Sequence, residues 1–147
     1  MEYFIRPMER ADLEICGQIE QSAGDPWSLA QLTEELENQQ AGGASRLFVA
    51  QLPGQPVVGL AAWQLAAGEA SLYTLTVSPT ARRTGAGSAL LRESMEALRG
   101  EGAETAFLEV RASNAGAIAL YEQAGFVAGG RRPRFYQNPT EDAVLMH

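Results

Sequence analysis

Apolar residues recur along the chain at two spacings, one helical and one alternating, and together they predict helices packed on a mixed sheet. Tyr3 to Arg6 reads as a first strand, stopped by Pro7. From about Glu9 to Gln21, Leu13, Cys16 and Ile19 lie at helical spacing, which makes Cys16 a small buried residue rather than a reactive thiol. Ser28 and Gln31 form a capping box that opens a second helix running to about Asn38, with Pro26-Trp27 just ahead of it. Arg46–Leu52, Pro56–Gln64 and Glu69–Val77 read as three strands joined by Pro53-Gly54 and Ala67-Gly68 turns, an antiparallel meander. A glycine-bearing loop then leads into a helix to about Arg99, with Leu91, Met95 and Leu98 as its apolar stripe and Gly100 and Gly102 as its stop. Thr105–Arg111 is an apolar strand, Asn114 to Ala124 a helix, and Gly125 its left-handed cap. Phe126–Gly129 and Ala143–Met146 are the last strands, on either side of an Arg-rich loop. This order sets a meander beside a parallel crossover and predicts an α+β fold in one domain over residues 1–147.

Composition narrows the chemistry. All 11 basic residues are Arg, against 18 acids, giving a net charge of −7. Without Lys there is no Schiff-base lysine, no Walker lysine and no ordinary basic patch, so no nucleic-acid partner is expected. One Cys and one His exclude a Cys/His zinc cluster, Ser-His-Asp or Cys-His catalysis and a disulfide framework, so no metal is expected. Chemistry is left to carboxylates, hydroxyls, Arg and backbone groups. The charge-free stretch from Leu47 to Gly68 is broken by Pro53, Gly54 and Pro56, which argues for strands and a turn over a membrane span. The first residues lack the basic and apolar regions of a signal peptide, and the expected setting is the cytoplasm, as a monomer or weak dimer. Residues 1–73 hold ten acids and three Arg, whereas residues 74–147 hold eight of each, so an anionic ligand is better received by the second half.

That half carries Arg82-Arg83-Thr84-Gly85-Ala86-Gly87 between a strand and a helix. Glycines permit tight turns and close backbone approach, and a helix N-terminus offers unpaired N–H groups to a phosphate. With no Lys the loop is not a Walker A, and Leu90 stands where a dinucleotide fingerprint has its third Gly. A plain strand-to-helix turn with a solvated Arg pair is the alternative.

The spacing Arg82-x-x-Gly85-x-Gly87 after Val77-x-Pro79 resembles the acetyl-CoA pyrophosphate loop of the GNAT superfamily of N-acetyltransferases. Leu108-Glu109-Val110-Arg111-Ala112-Ser113-Asn114, Ala117 to Glu122 and Gly125-Phe126 are similar to the bacterial ribosomal-protein alanine N-acetyltransferases, the RimI type, as are Pro26-Trp27-Ser28 and Glu141-Asp142-Ala143. The resemblance runs from about Phe4 to Met146. It implies a mostly antiparallel sheet of about seven strands with four helices, splayed between strands four and five to admit the pantetheine of acetyl-CoA. It implies that Leu75, Thr76 and Val77 offer backbone groups to that arm. It places the pyrophosphate on Arg82 and on Arg83, Thr84, Gly85, Ala86, Gly87 and Ser88, and the thiol end near Asn114 and Tyr121.

Acetyl transfer to an amine needs a base for the ammonium and a donor for the departing thiolate. Glu109, set in an apolar strand, is the candidate base; a solvent-facing carboxylate or an ion pair with Arg111 is the bland reading, and the resemblance favours the base. Tyr121 is either a core aromatic or the general acid, and Asn114 suits a helix N-cap as well as a cofactor contact. Trp27 either anchors the second helix or lines the acceptor groove. The implied acceptor is a protein N-terminus, that of a ribosomal protein starting with Ala. Where such relatives carry paired Tyr followed by Pro, this chain has Phe135-Tyr136-Gln137-Asn138-Pro139, so Tyr136 alone keeps the hydroxyl expected to hold the acceptor. Arg131, Arg132 and Arg134 either face the acceptor or form a solvated loop. A small amine or lysine side chain as acceptor, or a non-catalytic acyl-CoA-binding module on the same fold, remain alternatives.

Overall fold

Strands β1 (Phe4–Pro7), β2 (Ser45–Gln51), β3 (Gly59–Ala66), β4 (Glu69–Val77), β5 (Thr105–Arg111), β6 (Ala128–Tyr136) and β7 (Glu141–Met146) join in one sheet of order β1-β2-β3-β4-β5-β7-β6. The arrangement is that of a computed structural model, which describes residues 2–147; Met1, the first residue of the expected domain, lies outside the described residues. Four α-helices accompany the sheet: α1 (Leu13–Glu20), α2 (Leu29–Gln40), α3 (Ala86–Gly100) and α4 (Ala115–Gln123). Seven strands, four helices and a predominantly antiparallel sheet agree with the sequence expectation.

Among the described residues the one parallel pair, β4 with β5, is short, running from Glu69 opposite Thr105 to Leu72 opposite Leu108. At that point β4 bulges: Trp63 of β3 faces Leu72 while Ala62 faces Thr74, leaving Tyr73 as the extra residue. A bulge bends its strand and steepens the twist. From Tyr73 to Val77, β4 therefore follows β3 alone, while β5 from Glu109 to Arg111 follows β7. The sheet opens between strands four and five, and the bulge is the physical reason.

Each face of the sheet has its own core. On one, α3 and α4 pack Leu90, Leu91, Leu98 and Tyr121 onto Phe48, Trp63, Leu72, Leu108 and Val110. Trp63, 1% exposed, donates from its indole to Ser94 at 3.0 Å, and Ser94 donates to the Leu90 carbonyl, so the buried polar atoms of α3 and β3 satisfy one another. Gly59 permits this approach, since a Cβ there would lie 2.9 Å from Leu90 and 3.2 Å from the Thr76 carbonyl. On the other face, α1 and α2 bury Leu13, Cys16, Leu32 and Leu36 against Leu47, Val49 and Leu60. Burial, then Asp12 and Glu20, pushes the Cys16 thiol up to about 12, which keeps it protonated and inert.

Several boundaries shift by one or two residues from the sequence reading, and three differ more. The first helix begins as a 3-10 turn over Arg10–Asp12, where Asp12 accepts from the Glu9 backbone N–H and takes both Arg6 guanidinium donors. β3 begins at Gly59 rather than Pro56, although the Val58 N–H already bonds Ala50. The expected Arg-rich loop is strand: β6 continues through Arg131, Arg132 and Pro133 to Tyr136. Nearly every residue of β6 is exposed, so no apolar alternation announces it, and Pro133 is tolerated because the strand is an edge.

Candidate active site

Strand alternation sends Leu108 and Val110 into the helix-covered core and turns Phe107, Glu109 and Arg111 to the opposite side. Beyond the reach of α1 and α2, that side is open. A cavity of about 770 Å³ lies there, and Trp27, Tyr73, Glu109, Arg132 and Tyr136 are among its walls. Glu109 is the first residue of β5 past its pairing with β4. Its side chain is 28% exposed and meets the Arg132 guanidinium at 3.3 Å. The carboxyl group is thus half-buried and reachable. The alternative ion pair with Arg111 does not form, because Arg111 is engaged elsewhere.

Arg111 is a clamp. It grips Asp25 with two bonds of 2.9 and 2.8 Å, donates to the carbonyls of Gln137 (2.7 Å) and Pro139 (2.8 Å), and reaches Glu141 at 3.3 Å. The Asp25 hydrogen bond, then Glu141, raises its already high pKa against the opposing effect of burial. Hydrogen bonding from Ser113 first, and from Arg111, holds Glu141 below the ordinary carboxyl range. The Arg111 guanidinium also lies 4.7 Å above the Tyr136 ring. One side chain therefore ties the α1–α2 loop to the β6–β7 turn and fixes Tyr136 between them.

Arg111→Ala removes charge-assisted bonds worth about 1–3 kcal/mol together, so Tm is expected to fall by roughly 3–9 °C. Hydrogen exchange should quicken at residues 24–27 and 137–141, and nowhere else to the same degree. Because the native pKa of Glu141 is lowered, its contribution is present above the unfolded carboxyl value and is lost as pH falls through the native one. The variant should accordingly lose less Tm than wild type between pH 5 and pH 3, which a thermal-melt series measures.

Tyr121 approaches from the helix side, buried edge-on to Phe126 with ring centroids 6.0 Å apart. Burial, helped by Tyr136, pushes its phenol up to about 12. The Tyr136 phenol is likewise pushed to about 12, by burial and then by Asp25, Glu109 and Glu141, with Arg111 opposing. Tyr136 is thus within electrostatic range of both Glu109 and Tyr121. Asn114 fulfils the capping expectation, accepting from the Ala117 N–H at 3.1 Å. Trp27 packs partly against the α1–α2 core and meets Tyr73 in a tilted ring pair at 6.1 Å, so anchor and cavity wall are both true of it.

The glycine loop enters α3 through two left-handed residues, Arg83 (φ 63°) and Gly85 (φ 93°). Gly85 is the residue before the helix and has no side chain to cap it, so the first N–H groups of α3, which like those of any helix have no intrahelical partner, receive no side-chain bond from it. Thr84 is held by Tyr3 at 2.7 Å and donates to the Ala81 carbonyl at 2.5 Å. Arg82 leans back toward the Val77 carbonyl at 3.4 Å, and Leu75, Thr76 and Val77 lie on the stretch of β4 that has no partner on the β5 side. The structure thus gathers Trp27, Glu109 and Tyr136 around one cavity. Tyr121, Asn114 and the glycine loop are not part of its lining.

Sequence reasoning missed Glu20, Asp25, Tyr73 and the partnering of Arg132. Glu20 had a signal: it falls on the apolar stripe of α1, seven residues after Leu13 and four after Cys16. For Tyr73 no local signal exists, because a bulge is a property of two paired strands.

A seven-stranded sheet opened between strands four and five, beside a helix entered through a glycine loop, is the arrangement that the resemblance to the GNAT superfamily implies. A family model described as the acetyltransferase (GNAT) family matches residues 13–126. The chain is 37% identical to the [ribosomal protein bS18]-alanine N-acetyltransferase of Escherichia coli strain K12, over 97% of this chain and 94% of that one. It is 32% identical to the N-alpha-acetyltransferase RimI of Mycobacterium tuberculosis, over 97% of this chain and 89% of that one. The crystal structure of the Escherichia coli ribosomal-protein-S18-alanine N-acetyltransferase superposes with a TM-score of 0.86 at 35% identity, covering 99% of this chain and 92% of that one. The chain belongs to the acetyltransferase (GNAT) family and is an acetyl-CoA-dependent N-acetyltransferase.

Proposed function

We propose that this enzyme acetylates the α-amine of a protein N-terminus, that of a ribosomal protein beginning with Ala, with Glu109 as general base and Tyr121 as proton donor. The observation that carries the reading is the placement of Glu109, half-buried at the opening of the sheet in a cavity walled by Trp27 and Tyr136. Glu69 adds an acidic group to that cavity, which suits a cationic amine, whereas the Asp25 carboxylate is taken up by Arg111. The relatives named for ribosomal-protein N-terminal acetylation align over nearly the whole chain.

Acetyl-CoA supplies an activated thioester. Its pyrophosphate would rest on the N–H groups of Arg83 to Ser88 at the start of α3, and Leu75 to Val77 would offer backbone groups to the pantetheine. The left-handed Gly85 and the unpartnered β4 edge fit such a ligand. Glu109 takes the proton that the amine loses as the new N–C bond forms, and Tyr121 donates toward the sulfur as the C–S bond breaks. Tyr136 and Trp27 would hold the acceptor backbone. Such an acceptor is met where ribosomes are made, so we place the reaction in the cytoplasm.

The test is mass spectrometry after incubation with acetyl-CoA and three acceptors: an Ala-starting peptide, the same peptide blocked at its N-terminus with an internal Lys, and a polyamine. Acetylation of the free α-amine alone is the expected result. Preference for Lys or polyamine would replace this acceptor, and no transfer would favour a binding module.

A Gly85→Val substitution should weaken acetyl-CoA binding by tenfold or more. Its cause is conformational: φ of 93° is strained for a branched residue, although a Cβ there meets nothing within 4 Å. Calorimetry on the folded variant checks this, and unchanged affinity would remove the loop from the cofactor site.

A further inference from the structure

Glu20, the last residue of α1, is fully buried, and both of its carboxyl oxygens are occupied. Oε2 accepts the backbone N–H of Trp27 at 2.8 Å. Oε1 accepts the hydroxyls of Thr76 at 2.5 Å and Thr74 at 3.0 Å. A buried acid is costly to place and gains little net stability even when well bonded, whereas an apolar residue here would complete the stripe of Leu13 and Cys16. Stability alone does not account for it.

The donors do. Thr74 and Thr76 lie on the bulged stretch of β4 that has left β5, the edge of the opening in the sheet. Trp27 ends the α1–α2 loop and forms the facing wall of the cavity. Above this junction the Trp27 ring lies tilted against Tyr73, the bulge residue itself, with centroids 6.1 Å apart. We propose that Glu20 is a positioning residue that bolts the Trp27 wall to the free segment of β4 and so sets the acceptor cavity against the opening through which acetyl transfer occurs. It acts through its hydrogen bonds, at a distance from the reacting atoms. The kinetic consequence rests on the acetyl-transfer reading above; the placement of Trp27 does not.

Two variants separate bonding from charge. Glu20→Met keeps length and removes the acceptor that joins the Trp27 N–H to the two Thr hydroxyls, which can then bond only each other, at 3.3 Å. Glu20→Gln can turn its Oε1 to the Trp27 N–H and donate from Nε2 to a Thr hydroxyl, restoring the junction without charge. With the Ala-starting peptide, Glu20→Met is expected to raise acceptor KM about tenfold or more, with a smaller fall in kcat and an unshifted pH–rate profile. Glu20→Gln should stay within about threefold of wild type.

A second readout needs no turnover. The chain has two Trp, and Trp63 is 1% exposed, so acrylamide quenching reports chiefly on Trp27. Quenching should increase in Glu20→Met and return toward wild type in Glu20→Gln. If Glu20→Met does not fold, Thr74→Val removes one donor and should move both readouts the same way by less. Unchanged KM and quenching in the folded variant would overturn the proposal. So would a Glu20→Gln as impaired as Glu20→Met with a displaced pH profile, since charge would then be the agent. If wild type acetylates no acceptor, the functional reading fails by itself, and quenching alone decides whether Glu20 places Trp27.

Discussion

Tyr121→Phe is expected to lower kcat by about 10²-fold or more while leaving acceptor KM within a few-fold. The ring is buried edge-on to Phe126, so Phe preserves the packing, and the hydroxyl makes no hydrogen bond among the described residues that its loss would break. Its phenol, pushed up to about 12, stays protonated through the whole working range. A thiol titrates near about 8.5, so complete proton transfer from this phenol to a thiolate is uphill by more than three pK units. In the proposed mechanism its service would therefore be a hydrogen bond that strengthens as charge grows on sulfur, realised in the transition state and not in the ground state. That is why the loss should fall on kcat. Wild type should also show no alkaline decline from this group up to pH 10. Steady-state kinetics on both forms measures the split, and a folded Phe variant with wild-type kcat would leave Tyr121 as a core aromatic only.

What the sequence disclosed and what it withheld divide along a physical line. The Ser28–Gln31 capping box, the Gly125 cap and the stop of α3 depend on bonds within a few residues, and the chain spells those out. The opening of the sheet depends on Tyr73 being one residue too many opposite β3, which only the paired strands reveal. β6 was hidden because an exposed edge strand is held by backbone bonds that any side chains permit. Pairing with Arg111 is one alternative the sequence leaves for Glu109, but residues two apart on a strand point the same way without touching. The ion pair of each went to a distant element instead: Arg132 of β6 for Glu109, and Asp25 of the α1–α2 loop for Arg111.

Replacing Glu109 by Gln is expected to slow turnover at pH 7 by about 10²-fold or more, of which only about tenfold should return by pH 9. The two figures come from different parts of the proton's path. An α-amine of pKa about 7.7–8.0 is roughly a tenth to a sixth free base at pH 7, so deprotonation before attack can be worth no more than about tenfold, and high pH supplies it for nothing. The attacking nitrogen must still lose a second proton as the N–C bond forms, and a positioned carboxylate contributes about 10²–10⁴-fold to such a step at any pH. Gln keeps the size and leaves Arg132 a neutral oxygen to meet, so the loss is chemical more than structural. Acetyl-CoA affinity should barely move, because Glu109 lines the cavity proposed for the acceptor and lies outside the glycine loop proposed for the cofactor. A pH–rate series from 6 to 9.5 on one Ala-starting peptide decides among three outcomes. Tenfold loss with full recovery would restrict Glu109 to collecting the ammonium proton. A uniform loss with parallel profiles would make it an electrostatic anchor for the cation. Only the larger loss with partial recovery fits a base that works while the bond is forming.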